Sequence, residues 1–376
     1  MKTILFIYGT RPEAIKMAPL IREFRKDTDT FVTKICLTGQ HRQMLDQTNK
    51  FFDIQSDYDL NLMSSNQTLF DITARCLTGL SDVLNEANPD LVFVQGDTTS
   101  VMAGSLASFY SRVPVAHLEA GLRTGNKYSP YPEEINRIIT GHIADYHFAP
   151  TNRAVQNLQD EGIKRNVYMV GNTVIDALYL GLDIIKNGTE DIYERYFSFL
   201  DRSKRTILVT GHRRESFGGG LENICRAIAY IAREYKDIQF IYPVHFNPNV
   251  REPINRILGN KENIFLTEPL DYPYLIWLME KCFLVLTDSG GIQEEAPALG
   301  KPVLVMREVT ERPEGIEAGT AKIVGTDYAC LIASIRELLE NETAYNKMAD
   351  IVNPYGDGTS SIQIVEIIRN LWRETS

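Results

Sequence analysis

Where several short apolar runs of this sequence stop, charged or hydroxyl residues stand close by, and several of these are types that move protons or hold phosphate. Asp97 ends a run in "QGDTTS" and Glu119 follows one directly in "AHLEAGLRTG", while Glu133 and Glu134 open a helical stretch in "YSPYPEEINR". A carboxylate at the mouth of a parallel sheet is a costly place for a charge with no task. These acids therefore suit proton transfer, which needs carboxyl groups held at a reacting centre. Each also has a plainer reading: Asp97 or the threonines after it can cap a helix, and Glu133 and Glu134 suit the positive end of a helix dipole. His212 in "TGHRRESFGGG" can carry a proton near neutral pH or donate to a phosphate, and Gly218, Gly219 and Gly220 free the backbone for a close approach.

A second set reads as an anion and sugar site. In "LTDSGGIQEEAPALG", Ser289, Gly290 and Gly291 stand where backbone N–H groups at a helix start cradle a phosphate. Glu294 and Glu295 follow one turn in, pointing about 100° apart around the helix. One of them is expected at the ligand, placed to accept bonds from a ribose diol, and the other in the scaffold. In "YGTRPEAIK", Thr10, Pro12 and Glu13 account for a capped helix start, but Arg11 and Lys16 are surplus to it and favour an anionic ligand. Arg307 and Arg312, after a later strand, offer cationic counterparts. Taken together these residues describe a sugar nucleotide, with the anion at the glycine turn and the diol at the acid.

The elements that must position them alternate. Apolar runs at 3–8, 33–39, 90–97 and 113–121 are each followed by helical sequence, and the pattern restarts with runs at 205–212, 238–245, 263–269, 283–290, 301–306 and 321–325. Continuous apolar strands separated by helices predict βα units around buried parallel sheets, hence an α/β fold of two doubly wound, Rossmann-like domains. The expected boundaries are 1–170, 171–358 and a final helix, 359–376, with the charged stretch 186–205 as a surface connection. Such domains bind ligands at the carboxyl ends of their strands, which predicts a central cleft between them.

Composition narrows the function further. The chain has 376 residues, 44% hydrophobic and 23% charged, and a formal net charge of −10 with no basic stripe, which argues against a nucleic-acid partner. Its five cysteines are scattered with no CxxC, as expected of reduced thiols. His142 and His147 lack helical zinc spacing, and no GxGxxG, Walker-type or GxSxG sequence appears, so neither a metal nor a tightly bound nucleotide cofactor is expected. The opening apolar run is too short for a signal-peptide core and no segment is long enough to span a bilayer, so a cytoplasmic location is expected.

The segments "GTRPEAIKMAPL", "TGQHRQMLDQ", "QGDTT", "HLEAGLRTG", "YSPYPEEINR", "TGHRRES", "YPVHFNPNVREP", "LTDSGGIQEEAP", "TERPEGIEAGT" and "NPYGDG" occur in this order along nearly the whole chain. In them the chain resembles the bacterial non-hydrolysing UDP-N-acetylglucosamine 2-epimerases. The resemblance implies a glycosyltransferase-B-like pair of domains, with the last helix crossing back to the first. It implies reversible conversion of UDP-GlcNAc to UDP-ManNAc without a cofactor, by anti elimination of UDP and its re-addition to a bound 2-acetamidoglucal, supplying ManNAc for cell-surface polysaccharide. It carries acid–base roles to Asp97, Glu119 and Glu133, and a donor or proton-carrier role to His212. Substrate contacts fall to Arg11 and Lys16, phosphate contacts to Ser289, Gly290 and Gly291, the ribose to Glu295, the sugar-phosphate end to Arg312, and uracil to the segment with Leu270 and Leu275. It further implies a homodimer and an activating UDP-GlcNAc held by Gln40, Gln43 and Gln67, with Asn66 where a basic residue is expected. A glycosyltransferase of the same architecture, a hydrolysing epimerase and a sugar-nucleotide sensor remain the alternatives. Three carboxylates favour the epimerase, since an inverting transferase needs one base.

Overall fold

Short, uninterrupted apolar runs become strands here because helices cover both faces of each sheet. The structure is a computed structural model that describes residues 1–39, 42–62, 67–188, 190–213 and 217–374, apart from the side chains of Arg42, Gln43 and Glu374. It divides into two compact units, Met1–Leu180 with Tyr355–Ser376, and Gly181–Pro354.

In the first unit β1 (Lys2–Tyr8), β2 (Phe31–Leu37), β3 (Tyr58–Asp59), β4 (Leu91–Gln95), β5 (Val115–Leu118), β6 (Tyr146–Ala149) and β7 (Val167–Met169) form a parallel sheet in the order β3-β2-β1-β4-β5-β6-β7. All of β4 and the last five residues of β1 are buried. Phe6, Phe93, Phe148 and Tyr168 stack in a row across this sheet, with centroids 5.2, 6.0 and 5.7 Å apart. In the second unit β8 (Arg205–Thr210), β9 (Ile238–Pro243), β10 (Ile264–Thr267), β11 (Leu284–Thr287), β12 (Val303–Val305) and β13 (Ala321–Ile323) form another, in the order β10-β9-β8-β11-β12-β13.

The chain passes from the first unit to the second at Leu180–Gly181, inside the helix Thr173–Gly188, later than the boundary expected at 170. The reason is burial: Val174, Ile175, Ala177 and Leu178 all sit in a core. The helix Ser360–Glu374 belongs to the first unit. There Trp372 packs 5.8 Å from Phe31, Arg369 Nε donates to Asp27 at 3.0 Å, and the Ser361 N–H donates to Asp176 at 2.6 Å. A carboxylate from a neighbouring helix thus serves the positive end of this one. The stretch 186–205 is more than a surface connection: it contains the helix Glu190–Tyr196, and Tyr193 and Phe197 are buried against Tyr274 and Trp277.

Strand order reverses between β1 and β4 in one sheet and between β8 and β11 in the other. These are the switch points at which open α/β sheets bind ligands, and they place Gly9–Arg11, Asp97, His212 and Asp288–Gly291 at strand ends.

Two histidines in the first sheet make its stability depend on pH. His117 and His147 face each other in register on β5 and β6, and both are buried. Burial disfavours the charged imidazole, lowering His117 to about 3 and His147 to about 4. Both stay neutral in the folded chain while the unfolded chain protonates below its ordinary value near 6.5, so stability falls as pH drops through 6.5 toward 4. The expected loss is about 2 kcal/mol per histidine between pH 7 and pH 5. Urea unfolding at the two pH values checks this; a His117→Gln/His147→Gln variant with the same pH slope as the parent rules it out.

Candidate active site

At the first switch point the backbone turns tightly after β1. A methyl at Gly9 would lie 1.9 Å from Thr38 Oγ1, so only glycine fits there. Glu13, one turn into the helix Arg11–Lys26, is 2% exposed and accepts the N–H groups of Gly9 at 2.6 Å and Thr10 at 2.8 Å. Its other oxygen accepts the hydroxyl of Thr98, the residue after Asp97. Glu13 therefore completes the expected capping box with Thr10 and also ties the end of β1 to the end of β4. Thr98, not Asp97, caps the helix Thr99–Tyr110, which leaves the Asp97 side chain for other partners.

Asp97, Glu119 and Lys16 come together here. Lys16 Nζ lies 2.6 Å from Glu119 Oε2, with side chains 12% and 7% exposed, and Gln95 Nε2 donates to the same oxygen. Glu119 itself holds φ of 61°, a left-handed conformation that costs a non-glycine residue of order 1–3 kcal/mol and recurs at functional sites. Burial raises the Asp97 carboxyl above its ordinary value, Arg137 opposes this, Glu119 adds to it and Lys16 opposes it. A carboxyl moved toward neutrality is better matched to proton transfer at physiological pH. Arg137 Nη2 pairs with Asp97 Oδ2 at 2.6 Å, and Asn136 Nδ2 donates to the Asp97 carbonyl at 2.8 Å. His117 Nε2–H donates to the Gly96 carbonyl at 2.7 Å, fixing the backbone just before Asp97. Glu133, in the first turn of the helix Glu133–Ile143, is half-buried, and its carboxylate makes no ion pair or hydrogen bond among the described residues. Its neighbour Glu134 is buried and structural, accepting from Thr124, Gly125 and Arg137. Arg11 is half-buried at the start of its helix.

The second switch point is built in the same way. Asp288, 2% exposed, accepts the N–H groups of His212 and Arg213, each at 2.7 Å, and so joins the ends of β8 and β11. Thr210 and Thr287 hydroxyls meet at 2.7 Å one residue earlier. The His212 ring is exposed and stacks on His245 with centroids 5.2 Å apart. Ser289 opens the helix Gly290–Ala298 without a side-chain cap, and its own N–H, expected at the phosphate, instead donates to Thr287 Oγ1 at 3.0 Å, so the candidate anion cradle is left to the N–H groups of Gly290 and Gly291. Arg312 lies beside it: a methyl at Gly290 would sit 3.9 Å from the guanidinium carbon.

Glu294 and Glu295 are both buried, at 1% and 5% exposure. Arg312 Nε donates to Glu294, so the acid read as scaffold aims the arginine next to the cradle. Glu295 accepts the Tyr272 hydroxyl at 2.9 Å, and burial together with that carboxylate holds Tyr272 protonated. Tyr272 lies between Leu270 and Leu275, which are half-buried, and links their segment to Glu295. Arg307 is buried, 4.0 Å from Glu311. Gln40 and Asn66 lie outside the described residues, as does the side chain of Gln43; Gln67 is half-buried.

Sequence reasoning passed over Arg137, Gln95, Asp288 and Tyr272. Only Arg137 left a signal, its i,i+3 spacing from Glu134 on a predicted helix.

The UDP-N-acetylglucosamine 2-epimerase family matches residues 22–369. The UDP-N-acetylglucosamine 2-epimerase of Yersinia pestis is 53% identical over 371 residues, which are 98% of this chain and 98% of that protein. The crystal structure of UDP-GlcNAc 2-epimerase from Neisseria meningitidis bound to UDP-GlcNAc is 49% identical, with a TM-score of 0.91 over 98% of this chain and 100% of that one. Sucrose-phosphate synthase from Thermosynechococcus elongatus, 12% identical with a TM-score of 0.65 over 100% of each chain, shares the fold alone. The chain belongs to the UDP-N-acetylglucosamine 2-epimerase family.

Proposed function

We propose that this chain interconverts UDP-GlcNAc and UDP-ManNAc without releasing free sugar. The observation that carries this reading is the grouping of Asp97, Glu119 and Lys16 at one switch point, acids and a cation where proton transfer needs them. The relative bound to UDP-GlcNAc supports the same substrate here. In the forward direction one carboxylate takes the C2 proton while the C1–O bond breaks and UDP departs, leaving a C1=C2 double bond in 2-acetamidoglucal. UDP then adds back to C1 as a carboxyl group returns a proton to the other face of C2. Asp97, Glu119 and Glu133 supply the acid and base positions, and Arg11 and Lys16 hold the substrate. His212 stabilises departing UDP. The first-turn N–H groups of Gly290 and Gly291 and the hydroxyl of Ser289, whose own N–H is given to Thr287, hold the diphosphate, Arg312 its sugar end, Glu295 the ribose, and the segment with Leu270 and Leu275 the uracil. The same reading includes a homodimer, an activating UDP-GlcNAc at Gln40, Gln43 and Gln67, and supply of ManNAc to cell-surface polysaccharide.

Incubation with UDP-GlcNAc in D2O, followed by proton NMR, tests it. The C2 proton signal is expected to vanish from the pool while UDP-ManNAc grows to a constant ratio with only traces of free UDP. Stoichiometric free ManNAc moves the assignment to a hydrolysing epimerase. Retention of the C2 proton ends the proton-abstraction reading.

A further inference from the structure

We infer that Arg137 is the positioning residue for Asp97, gripping its carboxylate with a buried guanidinium that Glu134 holds from the other side and so joining the Thr124–Gly125 turn to the reacting acid. The inference rests on the proposed reaction, because it concerns how one of its acids is held. Arg137 is 8% exposed at its side chain, pairing with Asp97 Oδ2 at 2.6 Å and Glu134 Oε2 at 3.1 Å. Glu134, 2% exposed, spends its other oxygen on the N–H groups of Thr124 and Gly125, both at 2.9 Å. Asn136, the residue before Arg137, holds the Asp97 carbonyl at 2.8 Å. One helix therefore fixes both the backbone and the side chain of Asp97.

The chemistry favours arginine at this place. Its planar fork serves two carboxylates at once and keeps its charge when buried, whereas a lysine ammonium offers neither fixed geometry nor a secure charge. The other charged groups that act on Asp97 are Glu119, which raises it, and Lys16, which lowers it. Since Lys16 is itself paired with Glu119, Arg137 is the cation most directly committed to Asp97. Misplacing a reacting group by about 1 Å costs on the order of 10²-fold in rate.

The test compares the parent with Arg137→Met, Arg137→Lys and Glu134→Gln, reading C2 proton exchange of UDP-GlcNAc in D2O against pH, and UDP affinity by calorimetry. Arg137→Met should lose about 10²-fold in exchange at pH 7 with UDP affinity within about twofold of the parent. The acid limb of its rate profile should move up by about 1–3 pH units, and added guanidinium ion should restore part of the rate. Arg137→Lys should bring the limb back toward the parent position without restoring the full rate. Glu134→Gln keeps an oxygen for Thr124 and Gly125 but removes the competing charge, so its limb should move down. That opposite sign carries the test if Arg137→Met does not fold. A folded Arg137→Met with the parent's profile overturns the inference, as does a slow variant with an unmoved limb and no rescue, or an unmoved limb in Glu134→Gln. A parent protein that leaves the C2 proton in place sinks the reaction itself, and this inference with it.

Discussion

Asp97→Asn is expected to slow C2 proton exchange by about 10³-fold, a loss of some 4 kcal/mol of transition-state stabilisation, while UDP affinity stays within about twofold. The substitution is nearly isosteric and keeps an oxygen for Arg137, so the geometry at the end of β4 should survive. What it removes is the ability to take and return a proton. The Asp97 backbone is held separately by Asn136, and the turn around it by Thr98 bonded to Glu13, so neither anchor depends on the side-chain charge. A neutral residue beside Glu119 should also relieve the repulsion that now raises Asp97. Stability in urea is therefore expected to change by less than the rate does. Single-turnover exchange in D2O reads the first quantity and UDP calorimetry the second. An exchange rate within tenfold of the parent assigns the proton chemistry to other groups, and a matching loss of UDP affinity makes Asp97 a binding residue.

Why some of this was legible in the sequence and some was not has a simple physical basis. Strands such as β1, β4, β8 and β11 are covered on both faces, so burial writes them as continuous apolar runs, and the residues that end them are strand-end residues by position alone. The strands β3 and β7 escaped because none of their residues is fully buried: β3 has two, one half-buried and one exposed, and β7 three, two half-buried and one exposed. β6 carries His147, a polar type inside an otherwise buried strand. Partners across the fold left no local trace. Asp97 and Arg137, Asp288 and His212, and Tyr272 and Glu295 meet only because sheet register and helix rotation bring distant segments together. The left-handed backbone of Glu119 is invisible in a residue type that normally avoids it. Each switch point is also locked by a buried carboxylate across two strand ends, Glu13 in one unit and Asp288 in the other. The sequence reads Glu13 as a helix cap and gives Asp288 no role, yet each holds two strand ends together.

Arg312→Met should destabilise the chain by about 3–5 kcal/mol, because it removes a cation that donates directly to a buried carboxylate. Glu294 is 2% exposed at its side chain and Arg312 11%, and the guanidinium donates directly to that acid. At roughly 2–4 °C per kcal/mol for a domain of this size, thermal unfolding should drop by about 10 °C. If the loss comes from the buried charge, replacing both partners with apolar residues should recover most of it, since a buried pair and a well-packed apolar pair are often equally stable. Glu294→Leu/Arg312→Met should therefore unfold close to the parent temperature. UDP binding separates the two roles of this arginine. The guanidinium stands beside Gly290 at an uncapped helix start, so its loss should weaken UDP by about 1.5–3 kcal/mol, roughly ten- to a hundredfold, in the single and the double variant alike. Stability that returns without affinity assigns Arg312 to the nucleotide and Glu294 to aiming it. A double variant as unstable as the single one removes the buried-charge explanation, and one that binds UDP like the parent takes Arg312 out of the phosphate site.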